Sequence, residues 1–168
     1  MQDAAGNDAG LTFTVPTTTG VLVSTSGPSI TSVTAPANGS YRADQNLDFT
    51  VNYSSSVTVS AGGGTPALSL TVGSSARSAL YQSGSGTAAL VFRYTVAAGD
   101  TDSDGLAVGS PLELNSGTLK DAAGNDAGLT FTVPATTGVL VDTTAPAVST
   151  IQRQSPSAAT TSASSVTF

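Results

Sequence analysis

The chain has 168 residues, enough for one good core but not for two ordinary domains. Only 10% of its residues are charged and the net charge is −6, with Lys120, Arg42, Arg77, Arg93 and Arg153 scattered along it. Phosphate recognition needs clustered cations, so nucleic acid is not an expected partner. No His, Cys or Trp is present, no apolar run is long enough to insert in a membrane, and Met1 is followed by a polar stretch rather than a basic-then-apolar leader.

Among the 11 acidic residues Glu113 is the only glutamate. Aspartate favours turns, because its short side chain bonds nearby backbone, and it is the usual ligand of loop-type calcium sites. A cysteine-free, acidic chain rich in Thr, Ser, Gly and Ala fits a secreted or bacterial cell-surface protein.

The chain opens on a segment that it later repeats. Asp3–Val23 returns as Asp121–Val141 at an offset of 118 residues, with one substitution, Thr17 against Ala135. A duplication at about one domain length marks a tandem array of similar modules. Residues 1–27 are expected to be the C-terminal strands of a preceding repeat, 28–142 a complete module, and 143–168 the start of a following one. The ends of both repeats read alike: Val21–Pro28 and Val139–Pro146 each carry a strand into a proline that cannot continue a ladder.

Period-2 alternation dominates the complete module. Leu47, Phe49, Val51 and Tyr53 point one way while Asp48, Thr50, Asn52 and Ser54 point the other. Shorter alternating runs follow at Val57–Val59 and Leu68–Val72. Leu90, Phe92, Tyr94 and Val96 repeat the pattern around outward Val91, Arg93 and Thr95. Leu112–Leu114, Leu129–Val133 and Val139–Val141 complete the set. Turn chemistry lies between the runs, at Asn38-Gly39, Gly62–Gly64, Gly84–Gly86, Asp104-Gly105 and Gly124-Asn125. No segment has helical periodicity. The pattern predicts an all-β antiparallel sandwich, with a closed barrel as the alternative. The two near-identical segments compete for one set of strand positions. The C-terminal copy is expected to win, leaving Leu11, Phe13 and Val15 with an unsatisfied apolar face; a swapped arrangement is the rival.

Several motifs resemble bacterial immunoglobulin-like repeats of giant secreted surface adhesins of the RTX type. They are Ser40–Asp44 before Leu47–Val51, Tyr81–Thr87 leading into Leu90–Val96, Gly99–Gly105, Lys120–Asn125 and Val141–Pro146. Their order and spacing span the whole module and both flanks. The resemblance implies an Ig-like sandwich acting as an extender that carries a ligand-binding tip away from a cell, with neighbouring repeats as partners. It also implies Ca²⁺ at or near domain junctions, where Asp142 is the expected ligand. The earlier junction has Ser24 at that place and should bind calcium more weakly.

Asp100, Asp102 and Asp104, followed by Gly105, match the first half of a calcium loop. The twelfth position is Pro111 rather than a closing Glu, so Glu113 or Asp121 would have to complete the shell. The alternative is a solvated acidic turn. Asp121, Asn125 and Asp126 form a turn sequence that would be either a plain hairpin loop or a contributor of ligands toward the neighbouring module.

Catalysis finds no support. Without His there is no nucleophile–base pair, and Gly62–Gly64 lacks the Lys-Ser/Thr of a phosphate loop. The functional alternative to a spacer is a carbohydrate- or receptor-binding module, for which Tyr41 and Tyr81 are the only expected exposed platforms.

Overall fold

The computed structural model of the chain describes residues 1–10, 14–19 and 23–152. The described residues are all-β, without a helix. Among the described residues the strands are β1 (Ile30–Thr34), β2 (Gly39–Tyr41), β3 (Asn46–Ser60), β4 (Ala67–Val72), β5 (Ser75–Ser83), β6 (Thr87–Thr95), β7 (Thr101–Asp102), β8 (Ala107–Val108), β9 (Thr118–Lys120) and β10 (Val139–Asp142).

β3 organises the larger sheet. Its alternating Leu47, Phe49, Val51 and Tyr53 are buried, and it pairs antiparallel with β1 on one side and β6 on the other. A register shift between Asn52 and Val57 turns the strand, and its last residues pair with β9 instead. The sheet runs β1-β3-β6-β5-β4-β8 and curls as an antiparallel half-barrel. Phe49 stands directly opposite Phe92 on the inner face. One residue earlier on β3 and one later on β6, Asp48 opposes Arg93 on the outer face. That outer pair is bidentate, with Arg93 Nε and Nη2 donating to Asp48 at 2.6 and 2.7 Å. Alternation thus places apolar burial and ion pairing on opposite faces of the same two strands.

The smaller sheet is mixed. β10 lies between β2, to which it is parallel, and β7, to which it is antiparallel. Val139 and Val141 of β10 join the same core cluster as Phe49, Phe92, Leu68 and Leu90, so both sheets enclose one apolar interior.

Two alternating runs form no strand. Leu129–Val133 makes no ladder: Leu129 and Phe131 pack against the core, Leu129 accepts from the Leu112 amide at 3.0 Å, and the Phe131 amide donates to Ser110 Oγ at 3.1 Å. Leu112–Leu114 is reduced to a single bridge between Ala67 and Glu113. Alternation reports a half-buried extended chain; a ladder also needs a neighbouring edge with free amides and carbonyls. Gly39, expected in a turn, instead opens β2. The alternation pattern does not mark β5, because Ser75, Ala76, Arg77 and Ser78 carry little apolar character.

The duplicated segments differ in burial. Val141 is 2% exposed, whereas its counterpart Val23 is 85% exposed and Val15 is 72% exposed. Leu11 and Phe13 lie outside the described residues.

Candidate functional site

The chemistry-bearing residues gather at the two ends of the module. β3 runs from one end to the other. Where it begins lie the turn after β2, the Asp100 segment and the end of β10; where it ends lie the Asp121 turn and residues 24–29.

At the first end Asp100 is 2% exposed and held by three groups. Arg77 Nη2 donates to its Oδ1 at 2.6 Å and Arg77 Nε to the same oxygen at 3.1 Å. The Tyr94 hydroxyl donates to Oδ2, which the Ala97 amide reaches at 3.3 Å. Burial would raise the Asp100 pKa, but the Arg77, Tyr94 and Ala97 hydrogen bonds outweigh it, and the carboxyl titrates below the usual range. The exit linker is fastened to the same segment. Thr143 Oγ1 donates to the Asp100 carbonyl at 2.9 Å and accepts from the Gly99 amide at 3.1 Å. A groove of about 350 Å³ lies between Arg42, Asp44 and residues 142–146.

Asp102 faces elsewhere, accepting from the amides of Gly73 at 2.6 Å and Gly105 at 2.8 Å. Asp104 is exposed. Among the described residues no three carboxylates come together as a metal-binding group. The acidic run that suggested a calcium loop is therefore divided. Its buried charge is countered by the Arg77 guanidinium and by backbone amides, so these three residues do not fit one closed Ca²⁺ shell. Sequence reading missed Arg77 as the counter-charge. The available signal is Tyr94, a core-facing residue of the kind whose buried hydroxyl usually has a hydrogen-bond partner.

Asp121 also spends its oxygens locally. Oδ1 accepts from the amides of Ala123 and Asn125 at 2.9 and 2.8 Å, and Oδ2 from Asn125 Nδ2 at 2.9 Å. These bonds, led by that from the Asn125 side chain, lower its pKa. Gly124 adopts φ +89°, which completes the turn at no steric cost. Asn125 reaches beyond the turn, donating through Nδ2 to the Ser24 carbonyl at 3.1 Å. The Gly128 amide donates to the Pro28 carbonyl at 2.7 Å, and Gly27 lies so close to the Asp126 backbone that a Cβ there would overlap it. The entry linker is thus bound to the Asp121 turn. At the exit, Asp142 is exposed and its Oδ1 takes the Thr144 amide at 2.9 Å.

The two tyrosines proposed as platforms are half-buried. Tyr81 packs edge-on against Phe92, with ring centroids 5.9 Å apart, and its hydroxyl accepts from the Ser85 amide. The Tyr41 hydroxyl donates to the Ala37 carbonyl at 2.8 Å. Tyr53 is the contrast: its hydroxyl is buried with no partner among the described residues, and burial pushes its pKa up to about 12.

Comparison with family models, with curated proteins and with solved structures gave no match.

Proposed function

We propose that this chain is a structural extender: an Ig-like β-sandwich repeat of a bacterial cell-surface adhesin, joined end to end with neighbouring repeats and without enzymatic activity. The observation that carries the reading is the fastening of the linkers. Residues 24–28 are hydrogen-bonded to one end of the module and Thr143 to the other. A spacer transmits length only if its connections are part of the folded body. The near-identical duplication supports the same reading, since a spacer tolerates copying that a unique binding site would not. The half-buried state of Tyr41 and Tyr81 favours it over a carbohydrate- or receptor-binding module, which needs an open stacking face.

Calcium enters this proposal only at junctions. Asp100, Asp102 and Asp121 are satisfied within the module. Asp142 lies in the exit linker, where a neighbouring repeat could add the further oxygens a Ca²⁺ shell requires. Small-angle scattering of tandem copies, with Ca²⁺ and with chelator, tests both parts. A maximum dimension that grows linearly with module number supports the spacer; a further gain with Ca²⁺, lost in Asp142→Asn, supports the junction ion. A dimension that grows as a flexible chain would remove the reading. A glycan array positive for the chain and negative for Tyr81→Ala would favour the binding module.

A further inference from the structure

Resting on the extender reading, we propose that a single linker is gripped by two modules at once, and that Gly27 decides which linkers can be held this way. The module before the linker holds its threonine; the module after it holds its glycine and proline. The chain carries that linker twice. Ser24-Thr25-Ser26-Gly27-Pro28 enters the module and Asp142-Thr143-Thr144-Ala145-Pro146 leaves it, each following a Val-Leu-Val. Both bend at the same place: Ser24 Oγ donates to the Ser26 carbonyl, and Asp142 Oδ1 accepts from the Thr144 amide. At the exit, Thr143 is half-buried, its Oγ1 joined to Gly99 and Asp100, while Asp142, Thr144, Ala145 and Pro146 are exposed. At the entry the pattern is inverted. Ser24, Thr25 and Ser26 are exposed, Gly27 is half-buried and Pro28 is buried, with the Pro28 carbonyl taking the Gly128 amide. Each end leaves exposed the residues that the other end covers.

The two grips therefore do not compete. The threonine hydroxyl serves one module; the glycine and the proline carbonyl serve the other. Thr25 and Gly27 are two residue steps apart, about 7 Å at full extension. A linker held at both places brings the Gly99–Asp100 end of one module directly against the Asp121 turn of the next. The partner surface is thus the opposite end of a second copy. Gly27 sets the condition for the second grip. A Cβ there would overlap the Asp126 carbonyl, which is main chain held within the turn. Ala145 brings that Cβ to the equivalent place in the exit linker. A module with this turn can receive Ser24–Pro28 but not Asp142–Pro146 in the same way. The two linkers are of different kinds: one is locked by glycine docking, and the other lacks that lock and carries the Asp142 carboxylate instead of Ser24.

The test has two arms. In the full chain, hydrogen exchange reads each grip alone. Gly27→Ala should strip protection from the Gly128 amide and leave Gly99 protected; Thr143→Val, which removes one hydroxyl, should do the reverse. The second arm uses the full chain with residues 24–141 written twice in succession, so that Val141 of the first module runs into a second Ser24–Pro28. The chain has no cysteine, so Ser74→Cys in both modules, an exposed position, places one spin label on each. Pulsed electron resonance in chelator then reads the distance between modules without any cation. A single narrow distance is expected, broadened by Gly27→Ala and, separately, by Thr25→Val in the middle linker. Thr25→Val keeps the test decisive if Gly27→Ala disturbs folding. A narrow distance that Thr25→Val or a folded Gly27→Ala leaves unmoved overturns the double grip with the extender reading intact. A broad distance in the unsubstituted chain overturns both.

Discussion

The two copies of the duplicated segment separate what is written locally from what the rest of the module supplies. The Asp3 and Asp121 turns match bond for bond. Both carboxylates take the same amides, Gly6 and Gly124 adopt φ +86° and +89°, and Ala9 and Ala127 each donate at 2.9 Å across the turn, to Met1 and Leu119. Yet Met1 is 96% exposed and Leu119 only 2%. The turn forms with or without a core behind it, because short-range hydrogen bonds and one glycine fix it. The segment that follows has no such autonomy: Val141 is buried where β2 and β7 flank it, whereas its counterpart Val23 is exposed.

Substitution in the strand gives the largest contrast. Val139→Ala with Val141→Ala should cost about 4 kcal/mol by denaturant titration, from lost transfer energy plus cavity. Val23→Ala should stay within about 0.5 kcal/mol. Equal losses in the two copies would break the comparison.

Acid comes next. Asp100, Asp121 and Asp3 are all held below the ordinary value of 3.8. A carboxyl lowered in the folded state adds stability that is complete above its unfolded pKa and is lost as pH falls through the folded value. The melting temperature should therefore fall below about pH 4, and less steeply in Asp100→Asn. Asp3 should titrate low by NMR while contributing nothing to that melt, because its turn opens locally.

Gly124→Ala forces a side chain into a left-handed turn and should cost about 1–2 kcal/mol. Gly6→Ala should leave the global melt unchanged while abolishing the Ala9 hydrogen bond. The smallest effect is expected at Tyr53→Phe, within about 0.5 kcal/mol, because the hydroxyl removed has no partner among the described residues. Tyr94→Phe, which strips a hydrogen bond from a buried carboxylate, should cost more.

These contrasts also explain what the sequence made legible. β3, β6, β4 and β10 were readable because each alternates apolar and polar residues over a half-buried sheet. β5 was not, because Arg77 and Ala79 occupy positions where a strand signal would need larger apolar side chains. The acidic run 100–104 stands out in the sequence, but its partner does not. Arg77 lies 23 residues earlier and reaches Asp100 only through strand pairing that no local spacing encodes. The Asp121 turn, by contrast, is legible, since all the partners of the Asp121 carboxylate lie within four residues.

Native-state amide hydrogen exchange on the full chain tests most directly the claim that both linkers belong to the folded module. Gly128, donating to Pro28, and Gly99, donating to Thr143, report the two fastenings; Ala127 and Ala9 report the two turns. The account predicts Gly128, Gly99 and Ala127 exchanging with protection near that of the core strands, and Ala9 exchanging by local opening. Unprotected Gly128 and Gly99 beside a protected Ala127 would mean linkers that hang free of the module, and would contradict it.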